Sequence, residues 1–235
     1  MPKCKLCGEE KKLLKSHIIP EFMYKPLYDG NSRFKCISTA PKIPTMPKQK
    51  GDWERLLCKE CELHISKFEG YVSQLLHDGL NIGDAGKIEI NNIDYKLFKL
   101  FQLSILWRAS VSSRPMFTEI NLGQHEEIIR KMLLNTDPGK SHDYGCIMLA
   151  TMHKGKHINS LILQPEQVND EGQVLYRFVF GGFWWLFYCE TNKLDPKLLD
   201  VFLREEGFAY IFLKELGSAE HVIDFAIETT NRSDE

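Results

Sequence analysis

Long hydrophobic runs are missing from this chain. The longest, Phe183 to Cys189, covers seven residues, well short of the roughly 20 that a membrane-spanning helix requires. No basic-then-apolar segment opens the sequence, so a secretory leader is not expected and a cytoplasmic location is. Internal repeats and low-complexity tracts are absent too, which argues against a solenoid or a disordered scaffold. The second half has no phosphate-cradling glycine loop, no nucleophile elbow and no dinucleotide fingerprint, so no motif there spells a catalytic centre.

What is present is a chain of 235 residues, 43% hydrophobic and 26% charged, enough to bury one large core or two modest ones. The net charge of −2 conceals an uneven distribution: residues 1–70 carry 14 Lys and Arg against 9 Asp and Glu, and the remainder 16 against 23. A basic front and an acidic back direct any polyanion to the front, although a small basic module is also often simply solvated.

The seven cysteines are the most informative residues. Cys4-Lys-Leu-Cys7 and Cys58-Lys-Glu-Cys61 each separate two thiols by two residues, a spacing that turns both sulfurs toward one tetrahedral ion. Two such pairs complete a four-sulfur zinc shell. Thiols committed to metal fit a reducing compartment. Of the remaining three, Cys36, Cys146 and Cys189, the last two lie in apolar strand-like runs and read as small buried hydrophobes.

Between the cysteine pairs, Leu13-Leu14 and Ile18-Ile19 suggest two short strands, with His17 at the start of the second and Pro20 ending it. Glu21 to Gly51 has no period and four prolines, and reads as a long irregular excursion of the kind more often functional than idle. Its Tyr24, Tyr28 and Phe34 alternate with Lys25, Arg33 and Lys35. That mixture suits phosphate contact and base stacking, and equally suits aromatic plugs that pin the loop. Trp53 to Leu57 predicts a strand. Ile65, Phe68, Val72, Leu75 and Leu76 predict a helix from about Cys61 to His77, with Glu62, Ser66 and Glu69 to one side of its apolar stripe. Knuckle, hairpin and helix start around one zinc describe a treble clef.

Over about the first 75 residues, these features in this order resemble the HNH endonucleases of the ββα-metal fold, in the subgroup stapled by a CxxC…CxxC zinc. The resemblance implies a general base at His17 of Ser16-His17-Ile18-Ile19-Pro20, and a catalytic Mg²⁺ or Mn²⁺ at Glu62, directly after the last cysteine. Two positions depart from the family pattern. Ser16 stands where the metal-binding aspartate would be, and Asp52, Trp53 and Glu54 occupy the neighbourhood of the usual middle asparagine. The ion would then lean on Glu62 with help from Asp52, Glu54 or Glu69. The implied substrate is nucleic acid, DNA ahead of RNA, contacted by Lys25, Arg33, Lys35 and Arg55, and the implied setting is prokaryotic anti-phage defence. The alternative is a zinc-stabilised nucleic-acid- or protein-binding module whose nuclease centre has decayed.

Downstream, Asp94 to Ser110 is apolar almost all round and predicts a central buried helix. Its Arg108 needs a carboxylate or several carbonyls as partner. A helix at Gln124–Leu134 is followed by strands at Cys146–Met152, Ile158–Leu163, Val174–Phe180 and Phe183–Cys189, with Gly181-Gly182 as a hairpin turn. A helix at Pro196–Glu206, a strand at Phe208–Leu213, a helix at Ala219–Thr229 and a loose tail at Asn231–Glu235 complete the reading. Phe183 to Tyr188 is apolar on both faces, and so is either a central strand or an edge given to a partner. His64 reads as solvated, and His77, His125, His142, His153, His157 and His221 as surface residues. The expected fold class is α+β: a zinc-stapled ββα-metal module over residues 1–80, then an α+β domain with a mainly antiparallel sheet over 81–235 that regulates it, recognises a target or binds a protein partner.

Overall fold

The structure, a computed structural model, describes residues 1–36, 46–77, 82, 87–170, 172–192 and 194–216. The first part contains β1 (Leu13–His17), two 3-10 turns, β2 (Phe34–Cys36), β3 (Met46–Lys48), β4 (Trp53–Cys58) and α1 (Lys59–His77). The second contains β5 (Lys87–Ile90), α2 (Tyr95–Val111), α3 (His125–Asn135), β6 (Cys146–His153), β7 (Lys156–His157), β8 (Leu163–Asp170), β9 (Gln173–Phe180), β10 (Phe183–Tyr188), α4 (Pro196–Leu199) and β11 (Ala209–Glu215). The chain is thus α+β with mainly antiparallel sheets.

β1 and β4 form an antiparallel pair that aligns Lys15 with Arg55, Ser16 with Glu54 and His17 with Trp53. One strand ending at His17 replaces the two short strands expected at Leu13-Leu14 and Ile18-Ile19. Ile18 and Ile19 are fully buried just beyond it, and Pro20, with φ of −55°, turns the chain into a 3-10 helix. The described part of the excursion is held down by its own rings. Tyr24 is buried, its ring centroid 5.5 Å from that of Phe34, and it lies where any side chain at Gly51 would collide with it. This is the plug reading; Tyr24 is not free to stack on a base.

α1 starts two residues before Cys61 and buries Ile65, Phe68 and Val72 at helical spacing. α2 begins at a capped turn, the Asp94 side chain accepting from the Leu97 N–H at 2.9 Å. Every residue from Phe98 to Ala109 is buried. One side of α2 packs on α1 and α3. The other meets the large sheet, with the rings of Phe98 and Phe101 6.2 and 6.1 Å from that of Trp185.

That sheet runs β5-β11-β6-β10-β9-β8, with β7 added beside β6. β11 pairs parallel with β6, and the other neighbours are antiparallel. β10 lies between β6 and β9, so Phe183–Tyr188 is a central strand. Phe180 pairs with Phe183, leaving Gly181-Gly182 as a two-residue turn with φ of +62° and +88°, the conformation for which glycine is suited. Two expectations give way to packing. Pairing over 158–163 is delayed until β8, and the helix expected to reach Glu206 stops after one turn, because Phe202 and Leu203 are buried, with Phe202 packing on Ile147, Leu175 and Tyr188. The helix expected at Ala219–Thr229 and the tail at Asn231–Glu235 lie outside the described residues. A continuous apolar core reaches from Cys4 and Ile65 through α2 to Trp185 and Ile211.

Candidate functional site

The first polar centre is the cysteine cluster. A tight turn, in which the Gly8 N–H bonds the Cys4 carbonyl at 2.9 Å, folds back onto β4 through the Lys5 N–H and the Leu56 carbonyl, also 2.9 Å apart. Cys58 closes β4 and Cys61 sits in the first turns of α1, so strand end and helix start aim both at the same point. All four sulfurs lie within 4.8 Å of one another. A zinc–thiolate tetrahedron with bonds of about 2.3 Å has edges of about 3.8 Å, and the Cys7 and Cys58 sulfurs are 3.9 Å apart. Burial opposes ionisation of Cys4, but N–H groups of Cys7, Cys58 and Leu6 outweigh it and lower its pKa, while burial raises those of Cys58 and Cys61. Four soft donors in a closed shell fit a structural zinc, which Cys4, Cys7, Cys58 and Cys61 would hold.

The second centre surrounds the end of β1. Ser16, fully buried, donates from its hydroxyl to the Glu62 carboxylate, joining the strand that carries His17 to the first turns of α1. The next residue, His17, has a half-buried ring. Its Nε2 is 2.9 Å from Glu21 Oε2, so carboxylate and imidazole face each other directly. Arg108 reaches in from α2 with 2% exposure. It donates to the His17 carbonyl at 2.6 Å and to the Ser104 carbonyl at 3.1 Å, and lies 2.7 Å from Glu69 Oε1.

Burial lowers the pKa of His17 against the opposing pull of Glu21 and Glu69, with Arg108 and Lys50 assisting. The neutral imidazole is therefore favoured at neutral pH. Burial raises the pKa of Glu62, partly offset by the Ser16 hydroxyl and Arg108.

The other expected residues are placed as follows. Glu54 accepts from the Ser112 hydroxyl and from the N–H and hydroxyl of Ser113 at 2.7–2.9 Å, and Asp52 faces Lys48 at 3.3 Å. Among the described residues, no group of three His, Cys, Asp or Glu other than the cysteines brings its ligand atoms within 4.8 Å of one another. Lys25 is exposed, Arg33 lies 3.5 Å from Asp29, Lys35 is in β2, and Arg55 donates to the Leu13 carbonyl at 3.1 Å. His64 is not solvated: its Nε2 is 2.8 Å from the Leu133 carbonyl, where α1 meets α3. His125 and His157 likewise pack, on Tyr144 and on the Gly182 carbonyl. Glu21 escaped sequence reasoning, its one signal being the four-residue offset from His17. The role of Arg108 beside His17, 91 positions away, has no local signal.

No described helix is long and apolar enough to cross a membrane. No protein-family model, curated protein or solved structure matches this chain.

Proposed function

We propose that the N-terminal hairpin and helix are a treble-clef, ββα-metal module of HNH type that hydrolyses nucleic-acid phosphodiesters, with His17 as general base. The observation that carries this reading is the half-buried imidazole of His17 at the end of β1, held with its Nε2 2.9 Å from Glu21 Oε2 and its backbone carbonyl fixed by Arg108 at 2.6 Å.

The chain's own residues have separable tasks. Neutral His17 takes a proton from water as the oxygen attacks phosphorus; the P–O bond to the leaving oxygen breaks, and the proton rests on the imidazole. Glu21 stabilises the imidazolium so formed, while Arg108 fixes the backbone of His17 through its carbonyl. Glu62, which the Ser16 hydroxyl orients from the face of β1 opposite His17, is the carboxylate that would hold Mg²⁺ or Mn²⁺. Such ions commonly take one or two carboxylates together with substrate phosphates and water, so a single protein ligand suffices. The bound ion would supply charge stabilisation at the leaving oxygen.

Supercoiled plasmid and single-stranded RNA incubated with Mg²⁺ or Mn²⁺ test the proposal. Cleavage is expected, falling by about 10²–10⁴-fold in a His17→Ala variant of unchanged zinc content. Equal rates for the two proteins would remove His17 from the mechanism. The resemblance to HNH nucleases points to anti-phage defence, with the sheet-containing part selecting the target or a protein partner. One observation favours a second reading. Glu62, Glu69 and Glu54 are each engaged by groups of this chain, as in a zinc-stapled binding platform without catalysis. Nucleic-acid binding without cleavage by either protein would select it.

A further inference from the structure

We infer that the face of the β1–β4 hairpin that carries His17 is a docking strip for the phosphate backbone of nucleic acid, formed by Lys15, Arg55 and Arg114 around Trp53. The inference rests on the nuclease-module reading and adds to it the surface that delivers the substrate.

Residues directly opposite in an antiparallel pair share a face, so the alignment of Lys15 with Arg55 and of His17 with Trp53 puts all four on one side of the ribbon. Lys15 and Arg55 are exposed. Arg114, from the segment after α2, donates to the Trp53 carbonyl at 2.7 Å and holds its guanidinium carbon 5.3 Å from the centre of the Trp53 ring. The Lys15 ammonium lies 4.1 Å from that centre. Two cations from separate elements are thereby held at one indole, a contact favourable in itself. Among the described residues, none of the three lies within 4.0 Å of a carboxylate oxygen. Glu54, the acid nearest in the ribbon, pairs with Ser16 on the opposite face and is occupied by Ser112 and Ser113. Arg55 also lines a shallow, mainly apolar hollow with Lys12, Leu13, Met1 and Pro2.

Two cations without an ion-pair partner, Lys15 and Arg55, beside Arg114, whose charge is shared with Glu54, are complementary to a run of phosphates. Because Trp53 already has cations on its ring, bases are not expected to stack there as they do on open aromatic platforms. Recognition through this strip is therefore of the backbone, and indifferent to base identity.

Fluorescence anisotropy of labelled single- and double-stranded DNA and RNA, in the His17→Ala background to prevent cleavage, tests this. A Lys15→Gln/Arg55→Gln variant also removes the Arg55 hydrogen bond to the Leu13 carbonyl, so its zinc content and circular dichroism report whether the fold persists. Binding at low salt is expected to weaken about tenfold, and the dependence of log K on log salt for duplex DNA to flatten by about 1.8, equally for different base compositions. The inference is overturned if this variant binds like its parent while Lys25→Gln/Arg33→Gln binds weakly, or if binding depends strongly on base sequence; the nuclease reading survives both results. If the unsubstituted chain binds none of the four nucleic acids at low salt, the nuclease reading falls with it.

Discussion

The two polar centres of the hairpin–helix unit solve the problem of buried charge in opposite ways. The cysteine centre gathers four donors of one kind, with Arg130 and Lys11 the cations acting on Cys7 and Cys58; two positive charges do not balance four thiolates, so the deprotonated cluster needs an ion. The His17 centre mixes three carboxylates, Glu21, Glu62 and Glu69, with one arginine and a serine, and engages each carboxylate with a different group of the chain: Glu21 with His17, Glu62 with Ser16 and Glu69 with Arg108. A centre built of like donors depends on its ion for folding; one whose polar groups have partners within the chain folds without a ligand. The first description fits a structural site; the second is the one at which the proposed reaction would take place.

Four experiments break or sharpen this contrast. The largest effect is expected from Cys61→Ser. Loss of a structural zinc removes on the order of 10 kcal/mol of binding free energy, so elemental analysis should fall from one zinc per chain to none and the hairpin should lose its protection from hydrogen exchange. A variant that keeps its fold without metal would contradict the assignment.

Arg108→Met comes next. It strands Glu69 and frees the His17 carbonyl, and breaking a buried pair from one side costs about 3–5 kcal/mol, measurable by urea unfolding at constant zinc content. Adding Glu69→Leu should recover part of the loss; no recovery would show that packing, not charge, is what Arg108 supplies.

Lys99 provides a third kind of centre, a buried ammonium whose neighbours are the carbonyls of Ser141 and Tyr144. Burial lowers its pKa from 10.5 to about 8. Below pH 8 both folded and unfolded chains hold the proton, and the penalty is constant. Between pH 8 and 10.5 the unfolded chain binds it while the folded chain does not, so stability rises with pH, by about 3 kcal/mol across the interval. Comparison with Lys99→Met isolates this contribution; parallel pH profiles would contradict it.

The smallest effect belongs to Ser16→Ala. Losing a hydrogen bond to a carboxylate costs about 2 kcal/mol, and cleavage should fall as Glu62 loses its orientation. A stability loss with unchanged cleavage would make Ser16 purely structural.

Much of this was legible in the chain because it is local. The cysteine spacing, the apolar stripe of α1, the unbroken apolar character of α2 and the Gly181-Gly182 turn each arise from a few consecutive residues acting through one geometry. Expectations failed where distant packing competed with local propensity. Pro196–Glu206 has helical character, but Phe202 is drawn onto the sheet. Ile18-Ile19 has strand character, but the core claims both side chains. His64 has polar neighbours in sequence, and only the approach of α3 gives it a carbonyl.

By itself the sequence determined where a metal would be held and which segments become the hairpin, the central helix and the middle of the sheet, since each follows from residues within a few positions of one another. Only the tertiary structure decided what surrounds His17. Glu21 follows a turn, Glu62 and Glu69 stand two turns apart on α1, and Arg108 comes from a helix 91 positions away. The charges that set the protonation of an imidazole act through space, and their distances exist only once the chain has packed.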